Sequence, residues 1–457
     1  MKDTSQALGH EPIRKLVVRM STPSIIALLV HALYNVVDAI FVGRGVGTLG
    51  IAGIGVAFPS FLLIIGLGQL VSVGSASVLS RALGRGDVKT AERVMGNAIS
   101  LVAIVGISLA AIGILFGVTL MRFSGATGDV LPHAVAYIRV ILGGSFPFIL
   151  MFALSAIIRA QGDPLRATIP LLFAAVLNIA LDPLFIFGFH MGTAGAAWAT
   201  ILAQSIGVSY LVWYILRVKS VVRFRFRNLA LRASLVWAIV SVGTSSFVRT
   251  ISSSAAIVVI NRVLGIHGGD VSIAVFSIVN RLLSFARMPI FGVVDGILPI
   301  FGYNYGARQP DRVQSTIWHG LEFAGLLTGF FWILFLLFPR TFLSMFSSDE
   351  ALIAHGTSAL RWIALVIPLF AVPVIVGGLY QAIGRATQAL LISLLRGVAL
   401  IIPCALILSH FFGTTGVWVA FSVTDVLSAL IVSPMLFTEI RRLRKLGIAW
   451  QTEMASK

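Results

Sequence analysis

About a dozen apolar runs, each near the length of a bilayer crossing, leave this 457-residue chain a narrow choice of folds. They lie near 17–41, 51–80, 94–120, 134–157, 167–188, 193–216, 234–263, 271–304, 314–338, 355–381, 387–411 and 414–438. In hydrocarbon every backbone N–H and C=O must be satisfied within the protein, so spanning segments are helices or closed barrels. Barrel strands need only about 9–11 residues of alternating character, whereas these runs are longer and apolar on all sides. The composition, 58% hydrophobic and 11% charged with mean hydropathy +0.99, lies far outside the soluble range. The expectation is an all-α membrane protein of about twelve transmembrane helices. The first run is too long for a signal peptide and lacks a small-residue cleavage site, so it reads as a retained helix. Cys404 is the sole cysteine, which excludes an internal disulfide framework and a cysteine metal site.

A net charge of +17 would suggest nucleic acid in a soluble protein; here the placement of the charges argues otherwise, and no nucleic-acid partner is expected. Basic residues gather in alternate loops, as at Arg14, Lys15 and Arg19, at Arg81, Arg85, Lys89 and Arg93, at Arg217, Lys219, Arg223, Arg225, Arg227 and Arg232, and at Arg441, Arg442, Arg444 and Lys445. The intervening loops hold little beyond Arg44, Arg122, Arg262 and Arg340. By the positive-inside rule both termini of a multi-pass cell-membrane protein then face the cytoplasm, in keeping with an even helix count. The tracts at 217–232 and 441–445 also suit anionic lipid headgroups.

The chain repeats itself at long range. Thr22-Pro23-Ser24 recurs as Thr244-Ser245-Ser246, Gly43 as Gly265, Gly84 as Gly306 and Gly162 as Gly384, each 222 positions on by subtraction. Gly192-Thr193-Ala194-Gly195 recurs, one residue out of step, as Gly413-Thr414-Thr415-Gly416. Two halves of six helices entering from the same side make a parallel repeat about an axis along the membrane normal. The expected organisation is two pseudo-symmetric six-helix bundles, 1–216 and 234–457, joined by a basic cytoplasmic linker at 217–233.

Two aspartates stand inside apolar runs, where a carboxylate is costly and marks a functional site by default: Asp38 in Tyr34-Asn35-Val36-Val37-Asp38 and Asp182 in Asn178-Ile179-Ala180-Leu181-Asp182-Pro183. Tyr34 and Asp38 are i,i+4, Asn35 and Asp38 i,i+3, and Asn178 and Asp182 i,i+4, so each group shares a helix face. Asp38 lies 19 residues past Arg19 and Asp182 lies 16 past Arg166, which at about 1.5 Å per residue gives them matching depths in the outer half of the bilayer. Such faces suit one shared proton or cation; hydrogen bonding between helices is the plainer alternative. His31 shares the Asn35 and Asp38 face, as a proton relay or a packed histidine. Asp295, between Pro289 and Pro299, could meet a cationic substrate or pair with Arg287 or Arg281. Arg249, Arg361 and Arg396 read as structural, snorkelling or bonding to carbonyls, and Asp425, at the repeat position of Gln204, as a packing contact.

Taken together, these residues resemble the multidrug and toxic compound extrusion (MATE) transporters, in their DinF-like branch. The carriers of the resemblance are Pro23 with Tyr34-Asn35-x-x-Asp38-x-x-Phe41-Val42-Gly43, Arg159-Ala160-Gln161-Gly162-Asp163-Pro164, Asn178-x-x-x-Asp182-Pro183, Gly195-Ala196-Ala197-Trp198-Ala199-Thr200, and Pro299-Ile300-x-Gly302-Tyr303-Asn304-Tyr305-Gly306-Ala307. The resemblance implies an antiporter that exports amphipathic, often cationic organic compounds against proton or sodium influx. It implies a cation site at Asp38, Asn178, Asp182 and Thr200, with Tyr137 nearby and Pro23 as the kink of the first helix. Asp295 departs from the family, which more often has an uncharged polar residue there.

The repeat is broken where this chemistry falls. Residue 38 maps onto Ile260 and residue 182 near Ile402, both apolar, so coupling is expected in the amino-terminal bundle alone. A proton ranks ahead of sodium, although the four oxygen-bearing residues suit Na+ as well. No nucleophile elbow, P-loop or His/Cys ligand pattern appears, so the chain reads as a transporter rather than an enzyme, without a cofactor and driven by an ion gradient. With both halves on one chain, a monomer in the lipid bilayer is the expected functional unit. The alternative is a flippase for lipids or lipid-linked sugars, a reading that rests on the embedded Arg139, Arg249, Arg281 and Arg287.

Overall fold

The structure, a computed structural model, describes residues 4–217 and 221–455, so Lys219 of the basic connection lies outside the described residues. Every element among the described residues is helical. The first half comprises α1 (Ile13–Gly45), α2 (Thr48–Gly84), α3 (Val88–Phe123), α4 (Val130–Gly143 and Ser145–Ala160, bent by 48°), α5 (Pro164–Gly188) and α6 (Gly192–Arg217). In the second half the helical stretch Ala233–Gly306 breaks at Gly269 into α7 (233–268) and α8 (270–306). Then come α9 (Pro310–Leu337) and α10 (Glu350–Ala364 and Ile367–Ile383, bent by 50°). A last stretch from Ala386 breaks at Gly413 into α11 (386–412) and α12 (414–455). The chain is thus an all-α membrane protein of twelve transmembrane helices in two pseudo-symmetric halves.

The duplication is written in the backbone as well as in the letters. Gly47 and Gly269 take φ 82° and 61°, Gly162 and Gly384 take 85° and 83°, and Gly192 and Gly413 take 59° and 57°. Each pair stands 222 or 221 positions apart by subtraction and turns the chain between helices, in a left-handed conformation that only glycine adopts without steric cost. The fourth pair is instructive: Gly86 (φ 74°) corresponds to Arg308 (φ 58°), so the turn persists in the second half without its glycine.

By packing, the chain divides into two compact units, one of Met1–His10 with Ile26–Phe247, the other of Glu11–Ile25 with Val248–Lys457. The boundaries inside α1 and α7 fall at repeat-equivalent positions, 25 and 247. The inner part of α1 therefore packs with the second half, where Gly292 and Gly296 leave room for it: a Cβ on Gly296 would stand 2.5 Å from Ser21 Cα. The start of α7 packs with the first half, where a Cβ on Gly74 would stand 2.1 Å from the Ile239 carbonyl.

The basic connection is fastened to the first unit. Its short 3-10 turn, Phe226–Leu229, lies on α3, where the fully buried Asn97 donates to the Asn228 and Ala230 carbonyls (3.2 and 3.3 Å) and accepts from Arg232 N (2.8 Å). Ser100 donates to the Leu229 carbonyl (2.7 Å), Arg225 pairs with Glu92 (2.9 Å), and Val222 N donates to Gln161 Oε1 (3.1 Å).

Candidate functional site

Within the first unit, α1, α5 and α6 meet at a small buried core of Val42, Ile186 and Ala196. Each of these stands one helical turn from a polar residue on its own helix: Asp38, Asp182 and Thr200. A side chain on Gly45 would collide with Ile186 at 2.3 Å, so glycine admits the outer end of α1 against α5. There α5 widens into a π-helical turn, Leu184–Gly188, directly after Pro183. Proline has no N–H to close the regular helical bond, and the wider turn re-routes the ladder beside Asp182.

At the centre Asp182 is fully buried. Asn178 Nδ2 donates to Asp182 Oδ1 (3.3 Å) and to Thr200 Oγ1 (3.2 Å), and Thr200 Oγ1 in turn donates to the Ala196 carbonyl (3.1 Å). The Asp38 carboxyl is close enough to that of Asp182 for one to donate to the other when protonated. The buried rings of Tyr34 and Tyr137 bring their hydroxyls into the electrostatic reach of both aspartates. Three buried oxygens, Asp38 Oδ1, Asp182 Oδ2 and Asn178 Oδ1, accept no hydrogen bond from the described residues. Buried acceptors are normally satisfied, so this donor set suits a proton or a cation with oxygen ligands.

Other sequence-derived candidates fall differently. Asn35 is exposed, and its amide turns back to the His31 carbonyl (2.7 Å) instead of joining the aspartates. His31 packs edge-on against Tyr34 at 4.7 Å between ring centroids. Pro23 lies within α1, two residues before the boundary between the units. Ile260 is a core residue of the second unit. Gln204, one turn beyond Thr200, is buried with Oε1 accepting no hydrogen bond from the described residues, and its i,i+4 spacing from Thr200 is the signal by which the sequence shows it.

In the second unit Asp425 is fully buried between two arginines, accepting from Arg396 Nε (2.8 Å) and Arg287 Nη2 (3.5 Å). Both guanidinium groups stack over Phe370, at 4.2 and 4.9 Å from its centroid. Asp295 lies within electrostatic reach of Arg249. Arg249 and Arg396 line a partly open pocket of the second unit, while Arg139, Arg281 and Arg361 are exposed. Asp425 is thus a polar contact between helices, made as an ion pair with two arginines.

The family model named MatE matches twice, over residues 23–184 and 244–407, once in each half. The multidrug export protein MepA of Staphylococcus aureus is 27% identical over 423 residues, 92% of each chain, and that of Staphylococcus haemolyticus 25% over 444 residues, 97% of this chain and 98% of that protein. Among solved structures, an outward-facing multidrug resistance MATE transporter superposes with TM-score 0.93 at 26% identity, covering 97% of this chain and 99% of that one. MATE structures described as straight and as bent each superpose with TM-score 0.92 at 26% identity, covering 97% and 98% of this chain and 99% and 100% of theirs. Two six-helix halves, each matching the same model, and agreement over nearly the whole length lead to one conclusion: this chain belongs to the MatE family of membrane transporters.

Proposed function

We propose that the protein is a multidrug efflux antiporter of the cell membrane, with both termini cytoplasmic, that works as a monomer. It exports amphipathic, often cationic organic compounds in exchange for protons, sodium being the second choice of coupling ion. The similarity to multidrug export and multidrug resistance transporters supports the cargo class. The observation that carries the coupling is the Asp38–Asp182 pair with Asn178, whose three buried oxygens accept no hydrogen bond from the described residues.

Two neighbouring carboxylates in a low-dielectric interior do not both stay ionised without a cation between them. A proton entering the site turns a repelling pair into a donor and an acceptor and draws α1 toward α5. Its loss lets them part. Asn178 supports either form, since its amide donates to Asp182 while its own carbonyl can accept from a protonated carboxyl. Sodium would use the same Asp38, Asn178, Asp182 and Thr200 oxygens. Pro23, which leaves one backbone bond of α1 unmade, gives that helix a place to bend, in keeping with relatives captured straight and bent. Asp295, with Arg287 and His31 as further polar groups of the interior, is assigned to substrate preference rather than to coupling.

The flippase reading rests on four arginines, of which Arg139 and Arg281 are exposed and Arg249 and Arg287 each have an acidic neighbour. Efflux is the reading retained. Proteoliposomes loaded with a cationic dye test it: Asp38→Asn and Asp182→Asn should each abolish efflux driven by a pH gradient. Normal proton-driven efflux by the double variant removes this site, and movement of a lipid-linked sugar without dye efflux replaces the function.

A further inference from the structure

The connection between the two halves is held by its backbone and presents its charge to the outside. Residues 217–233 carry Arg217, Lys219, Arg223, Arg225, Arg227 and Arg232 and no acidic residue. Gln161, Asn97 and Ser100 bond to main-chain groups of the segment, and Arg225 pairs with Glu92 (2.9 Å). Arg223, Arg227 and Arg232 are exposed. Aromatic rings alternate with these cations in Arg223-Phe224-Arg225-Phe226-Arg227. Phe226 is 80% exposed and meets Phe224 edge-on at 5.0 Å, and Trp237, one turn into α7, is 72% exposed. Exposed rings beside exposed cations suit neither bulk water nor hydrocarbon; they suit the headgroup layer between the two.

Helix α3 fixes the depth. Asn97 and Ser100 stand on the helix face that continues into Ile104, Ile107, Ile114 and Leu115, all exposed and apolar, the stripe that α3 offers to lipid. Arg93 is the last charge before that stripe, and Asn97 lies about 6 Å beyond it at about 1.5 Å per residue. The connection therefore crosses α3 between its last charge and the start of its lipid-facing stripe, where headgroups meet hydrocarbon. The other basic tract, 441–445, is arranged differently. Arg442 pairs with Glu439 (3.3 Å), Arg444 donates to Gln314 (3.2 Å), and Leu443 is buried, so protein atoms take two of its four cations.

We propose that the connection is a docking surface for anionic phospholipid, with headgroup phosphates on Arg223, Arg227 and Arg232 and the rings of Phe226 and Trp237 set against the upper acyl chains. Charge complementarity selects the headgroup, and the depth on α3 selects a lipid as its bearer. The bonds from Asn97, Ser100 and Gln161 fix the segment beforehand, so binding loses little to ordering. The inference needs the chain to sit in a bilayer and does not depend on what the protein transports.

The test uses the full chain in dodecyl maltoside, with phosphatidylglycerol and phosphatidylcholine of the same acyl chains as probes and lipid retention read by native mass spectrometry. The tightest phosphatidylglycerol should bind at least about tenfold more strongly than phosphatidylcholine. Arg223→Gln, Arg227→Gln and Arg232→Gln should each weaken it by about fivefold, and lysine at the same positions should keep it, because a headgroup phosphate reads charge. Phe226→Ser should weaken it by about fivefold through lost apolar contact. Arg441→Gln combined with Lys445→Gln should leave the tightest site unchanged. Raising ionic strength about tenfold on the wild-type protein asks the same question without a variant: phosphatidylglycerol should be released while phosphatidylcholine stays as it was. Equal retention of the two lipids, retention of phosphatidylglycerol indifferent to salt, or a tightest site unmoved by the triple glutamine variant overturns the surface. A loss with the Arg441 and Lys445 pair as large as with two arginines of the connection also overturns it, since net charge alone would then be at work. Heparin fragments bound as tightly as phosphatidylglycerol, and equally well by Phe226→Ser, would make this a surface for soluble polyanions and overturn the lipid assignment.

Discussion

Replacing Asn97 by Ala should loosen the connection between the two halves without unfolding the helices that hold it. Asn97 Oδ1 is the acceptor of Arg232 N, and Asn97 Nδ2 is shared among the Asn228, Ala230 and Arg93 carbonyls. Alanine removes about two net bonds to the segment and leaves a buried N–H without its acceptor, a cost of about 2–3 kcal/mol. At 1.36 kcal/mol per tenfold, the open form of the segment should rise about 30- to 150-fold. The Ser100–Leu229 bond and the Arg225–Glu92 pair remain and keep the effect local. Limited trypsin digestion reads it, with cleavage after Arg227, inside the 3-10 turn, followed by mass spectrometry. In the regime where cleavage is slower than reclosing, its rate tracks the open population. Asn97→Asp keeps the acceptor for Arg232 N, loses the two donors, and should fall between. A cleavage rate after Arg227 unchanged by Asn97→Ala would refute the claim that these bonds fasten the segment.

Pro23→Ala should slow dye efflux while leaving expression intact, because a straight α1 becomes cheaper than a bent one; unchanged turnover counts against a hinge there. Gly162→Ala and Gly384→Ala should each lower stability by about 1–2 kcal/mol, measured by thermal unfolding in detergent, since both need a left-handed backbone; costs that differ widely would separate the two turns. Thr90 bonds to Asp87 hold that carboxyl below its ordinary value near 3.8. Its cap on α3 therefore contributes above that pH and is lost as pH falls through the lowered value, and Asp87→Asn should flatten this part of the acid profile in hydrogen exchange at Thr90.

The sequence by itself determined the solvent, the helix count and the duplication. Lipid leaves a long apolar run one backbone solution, and a glycine that must be left-handed is visible as a glycine twice, at positions such as 162 and 384. It also singled out Asp38 and Asp182, because a carboxylate in an apolar run is anomalous before any geometry is known. What the tertiary structure decided was partnership. Asn35 has the right spacing to join Asp38, yet its amide finds a nearer acceptor in the His31 carbonyl. Arg287 and Arg396, read singly as embedded cations, converge on Asp425 from helices far apart in the chain. The polar stretch 221–232 has the composition of a tether, but Asn97 and Ser100 offer bonds to its backbone that no composition records. Hydropathy and spacing are one-dimensional and report which face of a helix is polar. Which other face it meets depends on how helices pack, and there burial forces each charge and each backbone carbonyl to take whatever partner lies within about 3 Å.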